Sequence, residues 1–241
     1  MAFASPKVRI FLWCGLGGLA VLVAASVLVT ASVRLAGTHS VSPTSNTNGD
    51  STTEAVHRVD TEEPVVFLTI DDGASRTPEM IDELQDSDVP TTLFLTDDYV
   101  QQDPEFFREL RDRTESTIEN HTLDHPDLSG KPYEKQREEI CKPSDRYEDE
   151  FGRRPVLFRP PYGSYDDTTL RAAADCGAQH LVHWSAEVAD GELSYAAGDE
   201  LVPGDIVLMH FRSEFSRDLD AFLDQADEAG LRPALLTDYL D

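Results

Sequence analysis

Two adjacent carboxylates, Asp71 and Asp72, end an apolar run and are followed at once by Gly73. Neighbours on an extended strand point to opposite sides, so one of the pair can bind a cation while the other faces a substrate. Gly73 permits a turn directly afterwards. Fifty residues on stands His121-Thr-Leu-Asp-His125, two imidazoles four apart. That spacing puts both on one face of a helical turn and suits two ligands on one ion. Asp72, His121 and His125 together offer an N, N, O set, which fits Zn²⁺ or a similar transition metal such as Co²⁺ and leaves positions open for water and substrate. Asn120-His121-Thr122 also matches a glycosylation sequon, but a sugar there would block the site. Arg159-Pro-Pro-Tyr-Gly163 is too stiff for a helix and presents an arginine and a set of backbone N–H groups. Val207-Leu-Met-His210 ends an apolar strand on an imidazole, and Glu187 and Asp190 follow another strand-like run.

The elements that must carry these groups alternate in type. Strand-like runs occur at Val65–Ile70, Thr91–Leu95, Ser116–Glu119, Val156–Phe158, His180–Trp184, Asp205–Met209 and Ala234–Leu236. Helical patterns separate them: 77–86, a segment opening at Pro104 behind Asp103, 131–151, 167–176 behind Asp166, and 216–229 ending at Gly230. Such alternation predicts parallel βα units. In parallel α/β folds the C-terminal strand ends share one face and build the active site. Here the reactive side chains follow strands one after another, so residues distant in sequence can converge.

Composition narrows the function. Asp and Glu number 46 against 20 Lys and Arg in 241 residues, a net charge of −26. Phosphate binding runs on cationic side chains, so nucleic acid is excluded as a partner. Adsorption to an anionic membrane surface is disfavoured for the same reason. A hydrophobic content of 40% is enough for a core. No charge occurs from Ile10 to Val33, a run of roughly 36 Å as a helix, and Lys7 and Arg9 precede it. This predicts residues 1–36 as a single-pass membrane anchor with the rest outside the cell, or as a signal sequence if Val29-Thr30-Ala31 is cleaved and the protein secreted. Residues 37–63 read as a flexible linker and 64–241 as the catalytic domain. Outside the cell Cys141 and Cys176 could form a disulfide; two separate buried thiols are the alternative.

In combination, the motifs resemble the metal-dependent polysaccharide deacetylases, the NodB-homology or carbohydrate esterase family 4. They stand in order as Thr69-Ile-Asp-Asp-Gly73, His121-Thr-Leu-Asp-His125, Arg159-Pro-Pro-Tyr-Gly163, Trp184 to Asp190, and Leu208-Met-His210. Each is weak alone; five in order are specific. The resemblance implies a distorted, shortened (β/α) barrel of about seven parallel strands. It implies that Asp72, His121 and His125 bind the metal and that Asp71 is the general base. Arg159 would pair with Asp71, the backbone N–H of Tyr162 would stabilise the oxyanion, and His210 would protonate the leaving amine. Asp190 would orient His210, with Glu187 the alternative. Leu208 would line the acetyl pocket, and Tyr162 and Trp184 would contact substrate. The implied reaction removes N-acetyl groups from an amino-sugar glycan, peptidoglycan or chitin-like, at the cell envelope. A non-sugar amide, an O-acetyl ester, or carbohydrate binding without turnover are the alternatives. Three positions depart from the pattern: Ala74 replaces the usual Pro after the glycine, Ile70 replaces an aromatic residue, and Gly191 replaces the Trp that walls the sugar groove.

Overall fold

The computed structural model describes residues 52–240. The expected anchor at 1–36 lies outside them; among the described residues no helix is long and apolar enough to cross a membrane. The strands are β1 (Glu54–Val56), β2 (Val65–Asp72), β3 (Thr91–Leu95), β4 (Ser116–Asn120), β5 (Leu157–Phe158), β6 (His180–Val182), β7 (Ala186–Ala189), β8 (Glu192–Tyr195), β9 (Ile206–His210) and β10 (Arg232–Pro233). The helices are α1 (Pro78–Ser87), α2 (Asp97–Val100), α3 (Pro104–Arg113), α4 (Tyr133–Phe151), α5 (Asp167–Asp175) and α6 (Phe215–Glu228).

The sheet runs β1-β6-β5-β4-β3-β2-β9-β7-β8, with β10 also paired to the start of β2. Every pairing of named strands is parallel except the β7–β8 hairpin. β1 and β8 remain as edges, so the barrel is distorted and open. Central β2 is a continuous apolar run because it is covered on both sides, as parallel sheets require. Its alternation assigns two layers. Val66, Leu68 and Ile70 join the outer core against Met80, Ile81, Phe107, Leu219 and Phe222 of the helices. Val65 and Phe67 face inward with Phe94, Leu157, Val182 and Ile206. Thr69 and Asp71 continue that inward row. The interior is therefore apolar at its base and turns polar at the C-terminal strand ends.

Several expectations need correction. The linker reading fails at its distal end: residues 54–56 form β1, paired in register with β6, and Val59 is buried while Arg58 holds buried Asp205 at 2.7 Å. The domain thus begins before residue 64. Residues 234–236 are not a strand; the pairing falls on Arg232–Pro233, and a 3-10 turn covers Leu236–Asp238. The short helix α2 and the β7–β8 hairpin carry patterns too brief to be read locally. The Cys141–Cys176 disulfide is present and ties α4 to the end of α5.

Candidate active site

Asp72, His121 and His125 meet at one point, their ligand atoms all within 4.8 Å of one another. The side chains get there by backbone geometry that the motif spacing did not foretell. His121-Thr-Leu-Asp-His125 is not a helical turn but an irregular loop, with Thr122 at φ 73° and His125 at φ 61°. Asp72 also sits at φ 73°. This breaks the alternation after Asp71, so both carboxylates reach the same imidazole: His121 Nε2 lies 3.7 Å from Asp71 Oδ2 and 3.5 Å from Asp72 Oδ1. Left-handed conformations of non-glycine residues cost energy and persist where the surroundings enforce them, commonly at functional sites. Gly73, at φ 81°, is required: a Cβ there would stand 2.7 Å from the Phe107 ring.

A dense set of bonds holds that loop. Asn120 accepts from the Thr122 amide, the Thr122 hydroxyl accepts from the His125 amide, and Asp97 and Asp98 of α2 donate their amides to Thr122 and Leu123. From α4, Glu139 accepts the amides of both Leu123 (3.2 Å) and Asp124 (3.3 Å). Sequence reasoning missed Glu139, which sits among like carboxylates on a polar helix and carries no local signal. Thr69 was missed too, although a hydroxyl on the inward phase of an apolar strand was legible.

The cluster fits a cation. His121 Nδ1 lies 2.8 Å from the Arg159 carbonyl, which can only accept, so Nδ1 carries the proton and Nε2 presents a lone pair. Burial above all holds His121 down to a pKa of about 3, so the ring is neutral. His125 Nδ1 meets the Tyr162 hydroxyl at 3.2 Å, and its Nε2 lies 3.3 Å from Asp72 Oδ1. That Asp72 oxygen is buried and has no hydrogen-bond partner. An orphaned carboxylate oxygen facing imidazole nitrogens is repulsive until a cation sits between them. Ligands about 2.1 Å from a tetrahedral ion stand about 3.4 Å apart, which these separations match. Imidazoles whose far nitrogens are fixed by a carbonyl and a hydroxyl are typical of such sites.

Asp71 stays outside the ligand set. Arg159, fully buried, donates Nη1 to Asp71 Oδ1 (2.7 Å) and to Thr69 Oγ1 (2.8 Å), Nη2 to the His183 carbonyl and Nε to the Val182 carbonyl. Its guanidinium lies 4.2 Å over the Phe94 ring. Burial raises the pKa of Asp71, and the Arg159 charge opposes that shift. His210 is the in-register neighbour of Asp71 across the β2–β9 pair, with Leu208 one inward step below. Burial lowers its pKa, with Asp71 pulling the other way. Tyr162 turns through φ 61° and is 71% exposed at the mouth. Trp184 is half-buried, stacks on His183 and lies 5.7 Å from the Arg159 guanidinium, so it backs the site rather than facing open solvent.

Asp190 departs from its expected place. His210 Nδ1 is buried and has no hydrogen-bond partner. Asp190, at φ 55°, turns the chain from β7 into β8, and its side chain is 82% exposed toward Arg217. Glu187 lies on the inward phase but in register with Leu208, below His210. Neither carboxylate bonds the imidazole.

Fold and cluster together define an α/β domain with its reactive groups gathered at the C-terminal ends of a curled parallel sheet. The chain belongs to the polysaccharide deacetylase family, whose model matches residues 58–181. An uncharacterised protein of Streptomyces coelicolor is 46% identical over 191 residues, covering 77% of this chain and 76% of its own. A chitooligosaccharide deacetylase of Rhizobium leguminosarum is 32% identical over 158 residues, covering 61% and 68%. Among solved structures, a mutant of a Bacillus anthracis family 4 carbohydrate esterase pseudoenzyme with restored activity aligns at TM-score 0.69 and 25% identity, over 80% of this chain and 73% of that one. A pseudoenzyme among the relatives means that turnover must be argued from the residues themselves.

Proposed function

We propose that this protein is a metal-dependent N-deacetylase of amino-sugar glycans, peptidoglycan or chitin-like, working at the cell envelope. One observation carries the reading: Asp72, His121 and His125 converge on a single point while a second carboxylate, Asp71, is held beside them by Arg159 and kept free of the set. A divalent cation held by those three, Zn²⁺ by the donor set, would polarise the acetamide carbonyl and acidify a water. The chain's own groups do the rest. Asp71 takes the proton from the attacking water, and Arg159 fixes the carboxylate for that task. The backbone N–H of Tyr162, in its left-handed turn, stabilises the oxyanion of the tetrahedral intermediate. His210, beside Asp71 on the next strand, protonates the nitrogen as it leaves. Leu208 bounds the space for the acetyl methyl. Water is added, the C–N bond breaks, and acetate and a free amine result.

The envelope location rests on the apolar segment behind Lys7 and Arg9, which would anchor the domain outside; cleavage would release it. The Cys141–Cys176 disulfide supports an oxidising compartment. Gly191 in place of the groove-wall Trp favours a second reading, the same machinery acting on a non-sugar amide or an O-acetyl ester. Acetate release from chitooligosaccharides, peptidoglycan and acetylxylan, with and without chelator, separates these. Chelator-sensitive release from an N-acetylated glycan is expected. Asp71→Asn should abolish turnover yet keep bound metal, whereas His125→Ala should lose the metal. An active Asp71→Asn enzyme refutes the assigned base.

A further inference from the structure

We propose that Arg76 is a positioning residue of the cation cluster: with Gln102 it straps the turn that carries Asp72 to the loop that carries His121 and His125, and so sets how tightly the cation is held. This inference rests on the metal-dependent reading above.

The three candidate ligands come from two separate places in the chain. Asp72 ends β2 and the histidines follow β4, with β3 between those strands in the sheet. At the rim of β3 the Thr96 amide donates to the Asp72 carbonyl at 3.1 Å, and the His121 amide donates to the Leu95 carbonyl at 3.0 Å. Past that rim both segments turn left-handed, at Asp72 (φ 73°) and Gly73 (φ 81°) on one side and at Thr122 and His125 on the other. A non-glycine residue in that conformation relaxes unless its surroundings hold it. For Asp72, relaxation to the extended region restores strand alternation and turns its carboxylate away from His121.

Arg76, half-buried, is placed to prevent this. Its Nη1 donates to the Gly73 carbonyl at 2.6 Å and to the Ala74 carbonyl at 3.3 Å, which fixes the backbone directly after Asp72. Its Nη2 donates to Gln102 Oε1 at 3.2 Å. Gln102 Nε2 donates in turn to the Asp98 carbonyl at 2.9 Å, and the Asp98 amide donates to the Leu123 carbonyl at 3.0 Å, between the two histidines. A continuous hydrogen-bonded path therefore runs from the Asp72 turn, past the end of α2, to the middle of the histidine loop. Elsewhere Arg58, Arg146 and Arg153 grip buried carboxylates. Arg76 instead directs its fork at carbonyls on two segments at once, a task for a planar guanidinium rather than a compact ammonium. Ala74 stands where a proline would stiffen the turn by fixing φ, and the guanidinium supplies that restraint by hydrogen bonding.

Two roles for this arginine differ in sign. A guanidinium acting only as a charge near the cluster would repel a divalent cation, and its removal would tighten binding. A strap keeps the ligands aimed, and its removal loosens binding.

The readout is Co²⁺ affinity, by competition with a chromophoric chelator on chelator-stripped protein. Arg76→Ala should bind about tenfold more weakly than the wild type, as for groups that orient ligands. Gln102→Ala, which truncates an exposed side chain, should lose about fivefold, the scale of one hydrogen bond. The double variant should match Arg76→Ala within about twofold, because both changes cut one path. Arg76→Lys keeps the charge and one donor but cannot span both segments, so it should recover only part of the loss. Thermal melting in chelator shows whether each protein is folded, and if Arg76→Ala is not, Gln102→Ala decides. Unchanged or tighter binding by a folded Arg76→Ala or Gln102→Ala, wild-type binding by Arg76→Lys, or losses that multiply in the double variant overturn the inference and leave the cation cluster standing. A wild-type protein that binds no Co²⁺ overturns both.

Discussion

Replacing Arg159 with Met is the sharpest probe of how this site is held together. Arg159 has no solvent exposure, and its guanidinium donates to four acceptors: Asp71, the Thr69 hydroxyl and the carbonyls of Val182 and His183. Met keeps the volume and the contact with Phe94 but strands Asp71, itself only 3% exposed, as a buried carboxylate without its cation. Removing one partner of a buried pair costs about 3–5 kcal/mol, and the bare carbonyls push toward the upper end. In a domain of this size that lowers Tm by roughly 6–20 °C. The mechanism makes a second demand. Asp71→Asn removes the stranded charge, so Asp71→Asn in the Arg159→Met background should restore part of the loss, with a coupling energy of about 2–3 kcal/mol. Denaturant unfolding of the four proteins, all with chelator present so that ion binding does not contribute, measures the cycle. A single-variant loss below about 1 kcal/mol, or additivity within about 0.5 kcal/mol, refutes the argument.

Glu139→Ala should weaken binding of a divalent cation about 10–100-fold by freeing the loop that carries His125, while Glu139→Gln, which keeps an acceptor oxygen, should retain most of the affinity; competition with a chromophoric chelator reads both. Activity should follow a narrow bell against pH. In the proposed mechanism Asp71 must be ionised, and its pKa is raised, whereas His210 must be protonated, and its pKa is lowered. His210→Asn should erase the alkaline limb and keep the acid one. Stability should also fall in acid. His183 is held at about 4, first by burial and then by the charges of His57 and Arg159, against 6.5 when free. Its folded pKa is the lower, so its contribution is complete above about pH 6.5 and disappears as pH falls toward 4; His183→Phe should flatten that arm of a pH–Tm profile. Finally, Cys141→Ser with Cys176→Ser opens a loop of sequence separation 35 and should cost about 4 kcal/mol by the chain-entropy estimate, read by denaturant midpoint.

Sequence alone determined which chemistry was available. The inward phase of Val65, Phe67, Thr69 and Asp71 follows from strand period, and the alternation of elements dictates that the motifs end on one face. The disulfide partners were legible because they are the domain's two cysteines. What the sequence withheld depends on backbone turns and on long-range neighbours. The histidine spacing reads as a helical turn, but the left-handed residues Thr122 and His125, held by Glu139, Asn120 and α2, make the segment an irregular loop instead. Asp190 looks like a partner for His210, but the hairpin it opens turns its carboxylate outward to Arg217. Residues 54–56 look like tether because three residues carry too little pattern; they become a strand only because β6 offers an open edge. Residue types are local properties and survive in the chain. The angles that aim them are set by contacts tens of residues away, and those exist only once the sheet has curled.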